Sequence, residues 1–260
     1  MYIELLKQIA PIPEIEQHEK VVFIGAHPDD IEIGAGGTVD KLIKLKKEVN
    51  FVIMTDGGSG SRDVSQNIEK LIETRKKESE EAAAFLGVKK VYFLDFPDGG
   101  YYEVFDAAKK LATVLLELNP DLVVCSDPNL PSEIHPDHIK CGEASNLAII
   151  MAAFPLMFVR NHLEINDKFL SHFRPRTLAY YYTHRPNQTI SLSNENVSRR
   201  SNAIQKHKSQ FKEFEDYQMI HSYLEIHGKA LGLLAKSIEA EGFFVLGPVH
   251  QHCFPEVNHY

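Results

Sequence analysis

The chain has 260 residues, and 28 Lys and Arg against 36 Asp and Glu give a formal net charge of −8. Charged residues make up 25% and apolar residues 43%, a globular composition that excludes a disordered chain, a collagen and a coiled coil. The acidic balance argues against a nucleic-acid-binding protein and against attachment to a phosphate-rich membrane surface.

The sequence contains no candidate membrane span or secretion signal. The longest apolar run, Leu147–Val159, has 13 residues and contains Pro155, whereas a span needs about 20 residues. The N-terminal residues lack an uninterrupted apolar stretch with a small-residue cleavage site. Three widely spaced cysteines indicate free thiols in a reducing compartment. We therefore expect a cytoplasmic protein.

Apolar, β-branched runs predict four buried strands of a parallel sheet, over Val21–Ala26, Phe51–Thr55, Val91–Asp95 and Leu122–Ser126. Patterns with a helical period lie between them and predict helices over Thr38–Glu48, Ile68–Leu86 and Val104–Leu118. This alternation, repeated every roughly 30–40 residues, is typical of βαβ units.

The alternation weakens after residue 150. Residues 152–175 predict an irregular insertion, followed by two strands and two helices, over Leu178–Thr183, Thr189–Leu192, Arg199–Gln210 and Phe214–Ala240. No repeat or linker interrupts the chain. The prediction is a single α/β domain over residues 1–260, with a mostly parallel sheet and an elaborated C-terminal third.

Two histidine- and aspartate-rich motifs follow predicted strands. The first strand leads into His27-Pro28-Asp29-Asp30, and the fourth leads through a proline-rich loop into His135-Pro136-Asp137-His138. A single His-Pro-Asp is most simply a turn in which the aspartate caps a helix. Ligands of doubly wound sheets bind beyond the carboxyl ends of the strands, so two such motifs there predict one shared site.

The first motif can direct two metal ligands at one cation. His27 and Asp30 are three residues apart, and His138 of the second motif is a candidate third ligand. Two imidazoles and one carboxylate suit a catalytic zinc site, and the same set suits non-haem Fe²⁺. A cation held in this way lowers the pKa of its water toward about 7.

The neighbouring residues are candidates for proton transfer. Asp29 lies beside Asp30 and is a candidate general base. His135 is placed to polarise or protonate a reacting carbonyl, and Asp137 to fix the His135 ring.

Arg75 interrupts a helical stripe that is otherwise apolar apart from Ser79. A guanidinium on a buried face needs a partner. Two interpretations remain open: Glu78 pairs with it, or Arg75 reaches the site and binds a substrate oxygen or the acetate product. His250 and His252 have a spacing that suits a metal and equally suits two surface side chains.

The two motifs resemble the LmbE-like (PIG-L) family of zinc-dependent N-acetylglucosamine deacetylases. The resemblance extends to Gly25-Ala26-His27, Thr55-Asp56-Gly57 and Arg75-Lys76-Lys77-Glu78. Other stretches are similar to the diacetylchitobiose deacetylase branch known from archaea, namely Asp127–Pro131, Tyr181–Asn187 and His207–Phe211.

This resemblance implies a Rossmann-like three-layer α/β sandwich. It implies zinc held by the metal ligands His27, Asp30 and His138. It further implies Asp29 as the base, and His135 backed by Asp137 as the oxyanion-binding or acid group.

The same resemblance implies residues that touch the substrate. Arg75 and Asp98 match substrate-contacting positions. His252 matches a histidine that reaches the site of a neighbouring subunit, so the implied assembly is a homo-oligomer, a hexamer.

Together these observations predict a metal-dependent hydrolase that removes acetyl from an N-acetylglucosamine unit of a small sugar such as N,N′-diacetylchitobiose. Alternatives are a deacetylase of a glucosaminyl-malate or glucosaminyl-inositol thiol-cofactor precursor, a non-hydrolytic nucleotide-binding module, and a metal protein without catalysis. Malate would require basic residues, for which only Arg75, Arg62 and Arg185 are candidates. The acidic first loop argues against a bound pyrophosphate.

Overall fold

The structure, a computed structural model, describes residues 2–211 and 214–254, except for the side chains of residues 214–216. Within these ranges, eight α-helices surround one seven-stranded sheet. The strands are β1 Lys20–Gly25, β2 Glu48–Thr55, β3 Val91–Phe96, β4 Leu122–Ser126, β5 Thr177–Tyr181, β6 Gln188–Leu192 and β7 Glu239–Leu246. The helices are α1 Tyr2–Ile9, α2 Asp30–Lys44, α3 Ile68–Leu86, α4 Val104–Leu118, α5 Pro136–Met151, α6 Pro155–Arg160, α7 Asn194–Ile204 and α8 Phe214–Ala235.

The sheet confirms the predicted α/β class. Its strand order is β3-β2-β1-β4-β5-β7-β6, and the five strands from β3 to β5 are parallel. β7 runs antiparallel to both β5 and β6. The order reverses between β1 and β4, which is the switch point where such sheets form ligand crevices. The loops after β1 and β4 therefore lie side by side.

Alternate residues of the central strands face two apolar layers. Val22 and Ile24 of β1 pack with residues of α4 and α5, whereas Val21 and Phe23 pack with residues of α2 and α3. Helices thus cover both faces of the sheet, which gives the predicted three-layer sandwich. Across the described ranges, no helix combines the length and the apolar character that crossing a membrane requires.

Helix α2 begins earlier than predicted, at Asp30 rather than at residue 38, so the glycine stretch lies inside it. A Cβ on Gly34 would come within 2.5 Å of the Tyr181 ring, so the small residue permits close packing of β5. The Glu241 carboxylate on β7 accepts hydrogen bonds from the backbone N–H groups of Gly37 and Thr38, at 3.0 and 2.7 Å. The C-terminal third is thereby bound directly to α2.

The predicted helix over residues 214–240 is wrong at its C-terminal end. The helix ends at Ala235, and the next residues form β7, which the sequence did not predict. β7 pairs with β6 through Glu239–Phe243 and with β5 through Phe244–Leu246. Arg200 lies 3.0 Å from Glu239 and 3.2 Å from Glu241, and these tertiary ion pairs leave no periodic trace in the sequence.

Four other helices differ from the prediction. α1 was not predicted, and α6 lies within residues 152–175, which were predicted to be irregular. α5, which begins at the second motif, was not predicted, since Pro136 looked like a turn but occupies the first helical turn. α7 was predicted over residues 199–210 but begins five residues earlier and ends at Ile204. Ser193 and Asn196 form a capping box at its start.

Candidate active site

Both motifs lie at helix N-termini beside the switch point. The first follows β1 and leads into α2, with Asp29 at the N-cap and at a positive φ of 132°. The second leads into α5, with His135 at the N-cap. Both motifs therefore begin helices, but neither aspartate supplies the expected side-chain cap: Asp29 makes no cap hydrogen bond, and His135 is the cap of α5. The fold also brings the two motifs together.

The three predicted metal ligands converge. Nδ1 of His27 lies 3.4 Å from Oδ2 of Asp30, and Nε2 of His138 lies 3.3 Å from Oδ1 of Asp30. One ligand atom from each residue lies within 4.8 Å of the others. Two nitrogens and a bridging carboxylate at this spacing fit a small divalent cation.

Carboxylates face the opposite nitrogens of both imidazoles. Nδ1 of His138 lies 2.7 Å from Oε2 of Glu133. Nε2 of His27 lies 3.1 Å from Oδ1 of Asp98, a contact without hydrogen-bond geometry. Carboxylates in these positions orient metal-binding histidines. The nitrogens that face Asp30 are therefore the ones available to a cation.

Glu133 is a site residue that the sequence analysis missed. Its Oε1 accepts a hydrogen bond from the His135 backbone at 2.7 Å, while Oε2 contacts the His138 ring. The only signal in the sequence is its position two residues before the second motif.

The carboxylates control protonation of the candidate ligands. Burial alone would lower the pKa of His27, but Asp137, Asp30 and Asp98 raise it to about 12. Burial also opposes protonation of His138, yet its carboxylate neighbours raise its pKa to about 9. Protons and a metal cation therefore compete for the ring nitrogens of His27 and His138.

A second, overlapping group shares His27. One ligand atom each from His27, Asp98, His135 and Asp137 lies within 4.8 Å of the others. In this group Nε2 of His27 faces Asp98 and Asp137, at 3.1 and 3.5 Å. We assign these carboxylates to orienting the ring, because this leaves Nδ1 for the cation.

Arg75 lies beneath the first motif and not beside Glu78. Its Nη2 donates to the carbonyl of Pro28 at 3.0 Å and to Oδ2 of Asp29 at 3.4 Å, and its Nη1 donates to the carbonyl of Gly57 at 3.0 Å. Glu78 instead accepts hydrogen bonds from Ser209. The interpretation that Glu78 pairs with Arg75 is therefore wrong.

Asp29 is a buried carboxyl group that contacts Arg75. Burial raises its pKa to about 6, while Arg75 acts in the opposite direction. A carboxyl group with this pKa is ionised at neutral pH yet accepts a proton more readily than an exposed aspartate.

The second motif fixes His135 through the backbone. The N–H of Asp137 donates to Nδ1 of His135 at 3.3 Å. The fully buried Asp137 carboxylate accepts from the N–H of Gly99 at 2.7 Å. Burial and the nearby His27 and His138 lower the pKa of His135, which keeps its ring neutral at neutral pH. The expected contact by which the Asp137 carboxylate fixes the His135 ring stays a prediction.

A cleft of about 680 Å³ opens onto the site. Its lining includes Asp30 and His138 together with Tyr182, whose hydroxyl donates to the Asp30 carbonyl at 3.2 Å. Helix α8 and the Leu130–Glu133 region form other parts of its wall. Two further cavities, of about 180 and 780 Å³, contain none of the predicted site residues.

His252 does not join this site within its own chain. It follows Gln251, whose side chain donates to the carbonyls of Arg176 and Leu246 at the amino end of β5. The metal ligands lie at the opposite, carboxyl end of the parallel strands. Its expected role in the site of a neighbouring copy stays a prediction.

Comparisons with known proteins were made for both sequence and structure. The sequence profile described as PIG-L, GlcNAc-PI de-N-acetylase, matches residues 22–149. The chain is 32% identical over 237 residues to a diacetylchitobiose deacetylase of Thermococcus kodakarensis, covering 91% of this chain and 86% of that protein. It is 33% identical over 135 residues to a probable N-acetyl-α-D-glucosaminyl L-malate deacetylase 2 of Bacillus cereus, covering 50% and 60% of the two chains.

The fold is similar to that of an N,N′-diacetylchitobiose deacetylase from Pyrococcus horikoshii, solved in complex with an inhibitor. The TM-score is 0.85 at 30% identity, and the alignment covers 98% of this chain and 94% of the other. The similarity thus includes the elaborated C-terminal third as well as the two motifs.

Proposed function

The chain belongs to the PIG-L family of deacetylases, and from this premise we propose that it removes the acetyl group from an N-acetylglucosamine unit of a small sugar such as N,N′-diacetylchitobiose. The observation that carries the proposal is the convergence of His27, Asp30 and His138 beside a buried Asp29, at a cleft of about 680 Å³. We further propose that residues 1–260 act as one deacetylase domain.

We assign the metal to His27 Nδ1, an Asp30 oxygen and His138 Nε2. The chemistry that a divalent cation supplies there is that of a Lewis acid, which activates water and polarises the acyl oxygen. Zinc fits this donor set, as does Fe²⁺.

Asp29 removes a proton from the attacking water. Its carboxylate accepts the proton at an oxygen, while Arg75 Nη2, 3.4 Å from Oδ2, holds the carboxylate in place. Water adds to the acyl carbon, the C–N bond breaks, and the products are acetate and a free amine.

His135 faces the negative charge that develops on the acyl oxygen. A pKa below the ordinary value keeps the ring neutral before the reaction, so it acts as a hydrogen-bond donor. Asp29, which holds the proton taken from water, returns it to the leaving amine either directly or through His135.

A glucosaminyl-malate or glucosaminyl-inositol substrate is the second candidate, and the Bacillus cereus relative favours the malate form. Two of the three candidate cations, Arg75 and Arg185, favour a neutral sugar instead. Arg75 is committed to Pro28, Gly57 and Asp29, and Arg185 packs on the Phe244 ring at 4.3 Å.

The test is acetate release from N,N′-diacetylchitobiose by protein stripped with a chelator and then reconstituted with zinc or, without oxygen, with Fe²⁺. We expect release only after reconstitution, and loss of metal and activity in His138→Ala. His162→Asn is the matched control, because His162 is exposed and asparagine tolerates its φ of 60°. Zinc bound at one per chain without release would reject this sugar, and the malate and inositol glucosaminides would be tested next.

A further inference from the structure

The cleft beside the candidate metal site is much larger than an acetyl group requires. Its volume is about 680 Å³, and pockets that bind small molecules have volumes of roughly 300–1,000 Å³. It contacts Asp30 and His138 in one part and Tyr223, His227 and Leu231 of α8 in another. A substrate with its acetamide at the metal ligands therefore has its remaining groups beside α8.

Two aromatic rings of α8 stack on each other at this cleft. Tyr223 and His227 are one helical turn apart, with ring centroids 5.6 Å apart and planes inclined by 7°. Tyr223 is 62% exposed, so its ring is not held in the apolar core. A pyranose ring has an apolar C–H face and polar edges, which suits contact with an exposed aromatic face in a cleft.

The charge of the cleft favours an uncharged occupant. Among the described residues that line it, Arg200 is the only arginine or lysine, and it is engaged by Glu239 and Glu241. Asp30 and Glu133 add acidic groups to the lining. A carboxylate or phosphate placed beside α8 would therefore find no free arginine or lysine among the described lining residues.

We propose that the Tyr223–His227 ring pair is a subsite for a second, uncharged pyranose ring and gives the enzyme its preference for a disaccharide over a monosaccharide. The inference rests on the proposed deacetylase function. It specifies where the sugar ring that keeps its acetyl group binds.

The test compares kcat/KM for N,N′-diacetylchitobiose with that for N-acetylglucosamine. Tyr223→Ala should lower the disaccharide-to-monosaccharide ratio about tenfold, the effect expected for loss of one ring contact. Tyr223→Phe should keep the ratio, because it retains the aromatic face. Ile226→Ala is the matched control, since Ile226 is exposed on the same helix but does not line the cleft.

An unchanged ratio in Tyr223→Ala, or an equal loss on both sugars, overturns the subsite. Light scattering on the same variants identifies another occupant: a changed oligomeric state would make α8 a contact between copies and would also overturn it. If the wild-type protein releases acetate from neither sugar, the proposed function fails, and calorimetry with N,N′-diacetylchitobiose decides the subsite. Binding that Tyr223→Ala weakens would support it, whereas absent or unaltered binding would not.

Discussion

Oε2 of Glu133 lies 2.7 Å from Nδ1 of His138, on the side of the ring opposite Asp30. The other oxygen of the same carboxylate accepts a hydrogen bond from the backbone of His135. One side chain thus fixes both the orientation of a candidate metal ligand and the start of the second motif.

Removing this carboxylate should weaken metal binding. Glu133→Ala is expected to lower zinc affinity by about 10–100-fold, because the His138 ring loses the acceptor that orients it. Glu133→Gln keeps an acceptor oxygen and should lose less. Competition with a chromophoric chelator measures both.

Glu143→Ala is the control for Glu133, because Glu143 lies exposed on the same helix as His138. If Glu133→Ala binds zinc as tightly as the wild-type protein, Glu133 does not orient the ligand.

Zinc binding should release protons. The pKa values of His27 and His138, about 12 and about 9, lie above neutrality, so both rings are protonated at pH 7 before the metal binds. Protons therefore compete with the cation, and affinity should rise with pH, about tenfold per unit for each proton released. Calorimetry in buffers of different ionisation enthalpy counts the protons. A wild-type titration without release would contradict the prediction.

Asp29→Asn should remove turnover without removing the metal. Asparagine has nearly the same size and shape as aspartate, but it does not accept the proton from water. We expect kcat to fall by about a hundredfold to ten-thousandfold. Acetate release and metal content are measured on the same sample. If kcat of Asp29→Asn equals that of the wild-type protein, Asp29 is not the base.

The buried pair of His207 and Glu32 should make stability depend on pH. Neither residue is exposed, and Nε2 of His207 lies 3.3 Å from Oε1 of Glu32. Burial opposes protonation of His207, but the pKa is raised above its ordinary value by Glu32. The pair therefore stabilises the fold fully below the unfolded-state pKa of about 6.5, and this contribution is lost as pH rises through the folded-state pKa.

His207→Ala leaves Glu32 buried without its partner and should lower the free energy of unfolding by about 3–5 kcal/mol at pH 6. Urea denaturation of metal-free protein at about pH 6 and about pH 9 measures the loss and its pH dependence. His207→Gln should be less destabilising because it retains a donor. If His207→Ala is as stable as the wild-type protein at about pH 6, the pair does not stabilise the fold in this way.

The central sheet and the meeting of the two motifs were predictable from the sequence. Continuous apolar runs identified β1 to β4, and the apolar stripe predicted α3 with its correct ends, where the structure has Asn67 and Gly87 as caps. The position of the motifs after β1 and β4 then required only the rule that parallel strands share their carboxyl edge.

What could not be predicted depends on contacts between residues distant in sequence. β7 follows a helix without a strong turn signal and is held by Arg200, about forty residues earlier. The partner of Arg75 was ambiguous because Glu78 is close in sequence, whereas Pro28 and Asp29 are close only after folding. Glu133 was missed for a related reason, since a loop glutamate has no periodic pattern.

The hydrogen bonds from Gly37 and Thr38 to Glu241 join the beginning of the chain to its end. The candidate metal ligands are all made by the ribosome before residue 139, but Glu241 emerges about a hundred residues later. A nascent chain of about 140 residues therefore carries every candidate ligand, in the loop before α2, on α2 and on α5, before the acceptor of these two backbone donors has been made. A premature stop codon before β7 would therefore keep every candidate ligand but remove the carboxylate that binds α2 to the C-terminal third.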